Sequence, residues 1–235
     1  MNKEKFEEYI KKYPLSTLSY VIFEMLYDEI VSGELLPGAK LNTAQLAEEL
    51  NVSRTPIIDA YEKLKEIRFI ETPANKSGYY VSPLYIDDFK NMMVLRGALE
   101  KTAASIVAGI HNMEHMDQLY SLAEELQDLM INDQYFFQRD IENKFHSLIV
   151  KSSNNPYLIN AYEAISKILY RHYYYMGHMT SQAPNMFVTK QAAYEHIAIC
   201  KALKSGIPDM AEKAMEKHMN TAMVIYLLHA DRWYK

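Results

Sequence analysis

The sequence predicts a mainly α-helical protein of two modules: a small helix–helix–helix–hairpin unit, then an all-α bundle of about six or seven helices. Three observations carry this. Apolar residues recur at helical spacing through most of the chain. Strand-like residues flank a glycine-containing turn only in the segment from Arg68 to Pro83. From Asp87 onward nothing but helical periodicity remains. A length of 235 residues exceeds one typical domain. With no low-complexity linker and no internal repeat, the boundary falls at "SPLYIDD", giving modules over 1–84 and 85–235.

The elements follow in order. Leu18, Val21, Ile22, Met25, Leu26 and Ile30 trace a helix over 17–32, stopped by Gly33. "LPG" at Leu36–Gly38 supplies Pro then Gly, as the middle of a type II turn requires. A second helix opens at "NTAQLAEEL", where Asn42 and Gln45 have capping-box spacing. Ser53 caps a third helix, Pro56 sits in its first turn where no donor is lost, and Ile57, Ala60, Leu64 and Ile67 form its buried stripe. "RFIETPANKSGYYVSP" reads as a β-hairpin. The bundle helices fall near 87–110, 113–131, 134–152, 157–176, 185–204 and 209–231.

Composition bounds the function. An apolar content of 49% with 23% charged residues describes a soluble, core-forming chain, and the 14 Met and 19 Tyr read as adaptable core packing. The lone Cys200 excludes an intramolecular disulfide. The start, "MNKEKFEEYIKKYP", is too charged for a secretory signal, and no apolar run approaches the roughly 20 residues that span a bilayer. The expectation is a cytoplasmic protein without membrane association.

Two short helices joined by a tight turn, then a hairpin, make a winged helix-turn-helix plan, in which the third helix enters the major groove by its N-terminal end. Ser53 and Thr55 can donate to phosphate there, aided by the free first-turn N–H groups. Arg54 can take a guanine edge or a phosphate in bidentate fashion, and Pro56 fixes the backbone that presents it. Taken alone, "SRTP" is equally a helix cap that contains an arginine. The wider pattern is more specific. "IVSGELLPGAKLNTAQLAEELNVSRTPIIDAYEKLKEIRFIE", with the wing "ANKSGYYV", resembles over residues 20–82 the DNA-reading head of the GntR family of bacterial regulators. The resemblance implies double-stranded operator DNA as partner, with Thr43, Ser53, Arg54, Thr55 and Lys76 as candidate contacts. The chain departs from the family at Ile58, where a second helix arginine is usual, at Ala44, where some members place another DNA-contacting arginine, and at Arg68, where a glycine usually ends the helix. Residues 1–85 also hold 10 Lys plus Arg against 13 Asp plus Glu, a net of −3, unusual for a DNA reader. Lys40, Lys63, Lys65, Arg68 and Lys76 remain for a basic patch, and Ile58 can meet a thymine methyl.

All eight histidines lie after residue 110. Glu142 and His146 are four apart, on one helix face beside the stripe of Ile141, Phe145, Leu148 and Ile149. His196 stands ten residues before Gly206, and His218 ten after Pro208. If those two residues close a helix hairpin, both imidazoles stand at one level, ~15 Å from the turn. Three imidazoles and a carboxylate suit a divalent transition metal, zinc, nickel or manganese, with coordination positions left open. Each histidine alone would read as an ordinary core or surface residue. Further, "RGALEKTAA", "ENKFHSLIVKSSNNPYL" and the two later histidines resemble the FCD ligand-sensing domain of the FadR branch of GntR regulators, over residues 85–230. That resemblance implies a metal on Glu142, His146, His196 and His218, ordering a small carboxylate effector. Glu142 stands where the family has Asp, and Asp140 is a less well-phased substitute. Arg96 is the candidate effector contact, its alternative being an i,i+4 ion pair with Glu100. His172 and His178 match no ligand position.

The leading expectation is therefore a homodimeric, ligand-responsive transcriptional regulator. A metal-dependent hydrolase or lyase on the bundle is the alternative from another class, but the sequence places no second carboxylate or general base near the four ligands. A sensor whose head has lost DNA binding is the third reading, prompted by Ile58, Ala44 and the acidic balance.

Overall fold

The computed structural model describes residues 3–132, 135–180 and 187–233, with the side chains of 130–131, 135–139, 176–180, 187–190, 226 and 228–233 outside the description. It divides into two compact units, Met1–Leu84 and Tyr85–Lys235.

The first unit begins with a helix that the sequence reading did not anticipate, α1 (Lys3–Lys12). Its charged sequence offers Phe6 as the only buried side chain, and polar contacts do the rest. Lys5 Nζ reaches Glu29 Oε1 at 3.3 Å and Glu34 Oε2 at 2.8 Å, while the Tyr9 hydroxyl donates to Asp28. Helix α2 (Leu18–Val31) is capped by Thr17 and buries Val21, Ile22, Met25, Leu26 and Ile30, whereas Leu18 is exposed. The Ala39 N–H then donates to the Leu36 carbonyl at 3.0 Å with Gly38 at φ +82°, the type II turn that "LPG" specifies.

Strand β1 (Lys40–Leu41) leads into α3 (Thr43–Leu50). Asn42 Oδ1 accepts from Ala44 and Gln45 N–H, but the Gln45 amide donates to Glu49 instead of returning to Asn42, so the capping box is one-sided. Asn51, at φ +54°, ends α3 in the left-handed region that short polar side chains tolerate. Helix α4 (Arg54–Glu66) buries Ile57, Ala60, Tyr61 and Leu64. Arg68, at φ +59°, closes it: its N–H donates to Lys65 and that of Phe69 to Leu64, a Schellman motif. That conformation explains the glycine usual there. Strands β2 (Ile70–Glu71) and β3 (Tyr79–Val81) pair antiparallel, and β1 adds to β3 with Lys40 opposite Tyr80. The predicted hairpin is thus two strands of a three-stranded sheet, order β1-β3-β2.

The second unit is described as six helices: α5 (Ile86–Gly109), α6 (Met116–Ile131), α7 (Tyr135–Ser152), α8 (Pro156–Thr180), α9 (Phe187–Lys204) and α10 (Pro208–Trp233). Proline opens α8 and α10, where a missing N–H is harmless. Asn155 Oδ1 accepts from Tyr157 and Leu158 N–H, and Ser205 Oγ accepts from Ile207 N–H. Helix α5 lies against α7, α8, α9 and α10, and α9 against α10 and α6. Phe89, Met93, Leu119, Leu126, Phe145, Ile149, Leu203 and Met215 fill the interior. Gly206, at φ +72°, turns α9 into α10.

Candidate functional site

One α-helical turn separates Glu142 from His146 on α7, and the antiparallel α9–α10 pair brings His196 and His218 level, with ring centroids 4.4 Å apart. One ligand atom from each of the four residues lies within 4.8 Å of all the others. Glu142 Oε2 stands 3.1 Å from His146 Nε2 and 3.3 Å from His196 Nε2, and the Nε2 atoms of His146 and His218 are 3.2 Å apart. The three imidazoles are buried and Glu142 is partly exposed.

The outer contacts decide what these atoms can do. His146 Nδ1 lies 2.7 Å from Glu100 Oε2, and only as a donor can it satisfy a carboxylate there. In the neutral imidazole its Nε2 then carries the lone pair, aimed at the Glu142 carboxylate, which also accepts only. Two facing acceptors, with a third and fourth nitrogen beside them, call for a shared cation. Donor atoms bound at ~2.0–2.2 Å to one ion lie roughly 3.0–3.4 Å apart; three of the six pairs here have that spacing, and all four atoms lie within 4.8 Å of one another. The residues therefore fit a metal.

Without one, a proton serves. Burial acts to lower the His146 pKa, but the Glu100 carboxylate outweighs it and raises it. For Glu142, burial would raise the carboxyl, yet His196 and His146 hold it well below the usual carboxylate range. Glu100 behaves alike: burial opposes the charge, but Arg96 and His146 hold its carboxyl at about 2. His218 is pushed down to about 4 by burial and by the His196 ring. A metal at this site would displace the Nε2 proton of His146.

Arg96 is buried, giving its Nε–H to Glu100 Oε1 at 2.6 Å and an Nη1–H to the Tyr173 hydroxyl. The i,i+4 pair with Glu100 is thus made, and these bonds use two of the five guanidinium donors. Asp140 is exposed and takes the Tyr170 hydroxyl, so Glu142 is the better phased carboxylate. His172 is buried beside Phe89 and Arg171, outside the cluster, and burial pushes its pKa down to about 3. The side chain of His178 lies outside the described residues.

In the first unit Ser53, Arg54 and Thr55 are exposed at the start of α4, and Ser53 makes no side-chain cap bond, contrary to its expected capping role. Thr43 is the half-buried first residue of α3. Lys76 lies exposed between β2 and β3, its Nζ 5.3 Å above the Tyr80 ring, with Lys40 over the same ring at 5.9 Å. Ile58 is 40% exposed.

Residues 18–81 match the model of bacterial regulatory proteins of the gntR family, and 91–221 match the FCD domain. The chain belongs to the GntR family and carries an FCD domain. This GntR regulator is 23% identical over 209 residues to the "Probable D-xylose utilization operon transcriptional repressor" of Paenarthrobacter nicotinovorans, covering 89% of this chain and 88% of that one. It is 25% identical over 212 residues to the HTH-type transcriptional repressor RspR of Escherichia coli, covering 88% and 87%. Its fold matches the solved structure of E. coli McbR/YncC with TM-score 0.69 at 21% identity, over 92% of this chain and 100% of the other. These relatives are transcriptional regulators, not enzymes. The chain is accordingly a DNA-binding regulator of transcription. Among the described residues no helix is long and apolar enough to cross a membrane.

Sequence reading missed Glu195 and Tyr173 and took Glu100 only as a partner for Arg96. Glu195 had one signal, its place four residues after Gln191 and next to His196.

Proposed function

We propose that this GntR regulator senses a small organic acid at a metal-containing pocket in its FCD domain and answers by changing its grip on an operator. The observation that carries the reading is the convergence of Glu142, His146, His196 and His218 within 4.8 Å, with His146 Nδ1 committed to Glu100. A zinc, nickel or manganese ion there would supply a Lewis-acidic anchor for a carboxylate. The protein's own part is to fix the ligands' direction, to keep Glu100 between Arg96 and His146, and to hold Arg96 where its remaining donors can take an effector oxygen.

On the DNA side, Arg54 reads a base edge or phosphate, Ser53, Thr55 and Thr43 anchor the backbone, and Lys76 of the wing adds a phosphate contact. The regulator acts as a homodimer, so that two recognition helices meet half-sites about 10 bp apart. Effector binding favours one bundle packing over another and so shifts the population of operator-competent dimers. Metal analysis of the purified protein tests the pocket, followed by titration of acetate, succinate and citrate into zinc-loaded protein bound to operator DNA. Bound metal together with an acid-dependent change in operator affinity is the expected result. A metal-free protein that no transition metal stabilises would overturn the pocket, and DNA affinity that ignores salt would favour a sensor with a silent head.

A further inference from the structure

Glu195, on α9 one residue before His196, is 4% exposed and faces α10. Its Oε1 is fixed from outside: Thr221 Oγ1 donates to it at 3.0 Å, Gln191 Nε2 at 3.3 Å, and Lys217 Nζ stands at 3.6 Å. Oε2 is left over. It lies 3.5 Å from His218 Nδ1, and both atoms are buried without a hydrogen-bond partner among the described residues. Two unsatisfied buried atoms of opposite character, a few tenths of an ångström beyond bonding distance, form an unfinished bond. His146 already has the finished counterpart, Glu100 on α5.

We infer that Glu195 is the positioning residue of His218, taking the proton of its Nδ1 as a hydrogen bond and so fixing the tautomer whose Nε2 lone pair faces the site. Drawing electron density from Nε2 strengthens the Nδ1–H as a donor, so loading the site closes the 3.5 Å gap. A carboxylate rather than an amide matters, because the anion offsets the positive charge that a liganded imidazole acquires. Gln191, Thr221 and Lys217 line an open groove, and their hold on Oε1 leaves Oε2 no direction but inward. Among the described residues His196 Nδ1 has no such partner, so the three imidazoles are not equivalent.

The inference rests on the metal reading above, and its test separates the two. Zinc affinity of the full-length protein is measured by competition with a chromophoric chelator, and nitrogen-15 NMR of histidine-labelled protein reports the tautomer and Nδ1–H exchange of His218. Glu195→Gln should weaken zinc binding about 10–100-fold and speed exchange of the His218 Nδ1 proton. Lys213→Met, on the same helix but paired with Asp209, should leave both unchanged. Thr221→Val keeps the carboxylate but frees its Oε1, and should give a smaller loss in the same direction. It carries the test if Glu195→Gln does not fold. A parent that binds no zinc ends both readings. A parent that binds zinc, beside a folded Glu195→Gln protein of equal affinity or unchanged Nδ1–H exchange, ends this one alone.

Discussion

Replacing Glu100 by glutamine should destabilise the bundle by about 3 kcal/mol at neutral pH, and the structure shows why. The carboxylate is fully buried, with one oxygen on Arg96 Nε at 2.6 Å and the other on His146 Nδ1 at 2.7 Å. An amide keeps the shape but offers one acceptor and no charge, so its NH2 either faces the Nδ1–H of His146 or forces that ring into the other tautomer. Its carboxyl is held at about 2 against an ordinary 4.5, and that displacement, at ~1.4 kcal/mol per pH unit, is worth ~3 kcal/mol. Breaking one partner of a buried ion pair gives an independent figure of about 3–5 kcal/mol. A depressed carboxyl contributes stability that is complete above its unfolded value and lost as pH falls through its folded one. The gap between parent and Glu100→Gln should therefore hold from about pH 6 to 5 and fall below half by about pH 3. His146 runs the other way: raised from 6.5, it contributes stability present below that value and lost as pH rises through its folded pKa. Urea unfolding followed by circular dichroism, in chelator at fixed ionic strength, measures both. A variant within 1 kcal/mol of the parent at pH 6, or a gap unchanged at pH ~3, would refute the assignment of Glu100 as the charged centre of the network.

Three further outcomes are expected. Arg54→Ala should weaken operator binding by ~1–3 kcal/mol in fluorescence anisotropy at matched salt, and unchanged affinity would remove α4 as the reading helix. Arg68→Gly should stabilise the first unit by ~1 kcal/mol, because φ +59° strains a side chain that glycine lacks; a lower melting temperature would show that the arginine side chain contributes more than the strain. His196→Ala should strip the metal and, with it, the ~2.7 kcal/mol that zinc at a hundredfold excess over Kd adds to the parent, while operator binding without effector persists. Equal metal content in parent and variant would remove His196 from the ligand set.

The bundle helices were legible because each is long and carries a sustained apolar stripe, as with Ile141, Phe145 and Ile149 on α7. Helix α1 was not, since Phe6 is its one buried residue amid charges. Two-residue strands such as β1 are too short to show alternation. The approach of His196 to His218 was readable because a helix hairpin fixes level by counting from its turn. The left-handed caps at Asn51 and Arg68 were only half legible: asparagine signals one, but arginine conceals the other. Tyr173 was opaque, and Glu195 nearly so, for a different reason. Their partners lie across the bundle, 26 residues from Glu195 to Thr221 and 77 from Tyr173 to Arg96, and no local period encodes such contacts.

A helical bundle does not need this cluster in order to fold. Arg96, Glu100, His146, Glu195, His196 and His218 are at most 6% exposed, and they come from α5, α7, α9 and α10. Apolar side chains of similar volume would pack there at no electrostatic penalty, and exchanging buried ionic groups for such residues is often neutral or stabilising by ~1–4 kcal/mol. The residual penalty can even be located, at Glu195 Oε2, His196 Nδ1 and His218 Nδ1, which have no hydrogen-bond partner among the described residues. Atoms left unsatisfied in the core are where a bound species gains most, because filling the site repays what folding left incomplete. On the function proposed above, loading the site acts on four helices together. One of them, α5, begins at Ile86, two residues after the first unit ends, so a shift in the Arg96–Glu100 network falls on the helix that directly continues the chain from the DNA-reading head.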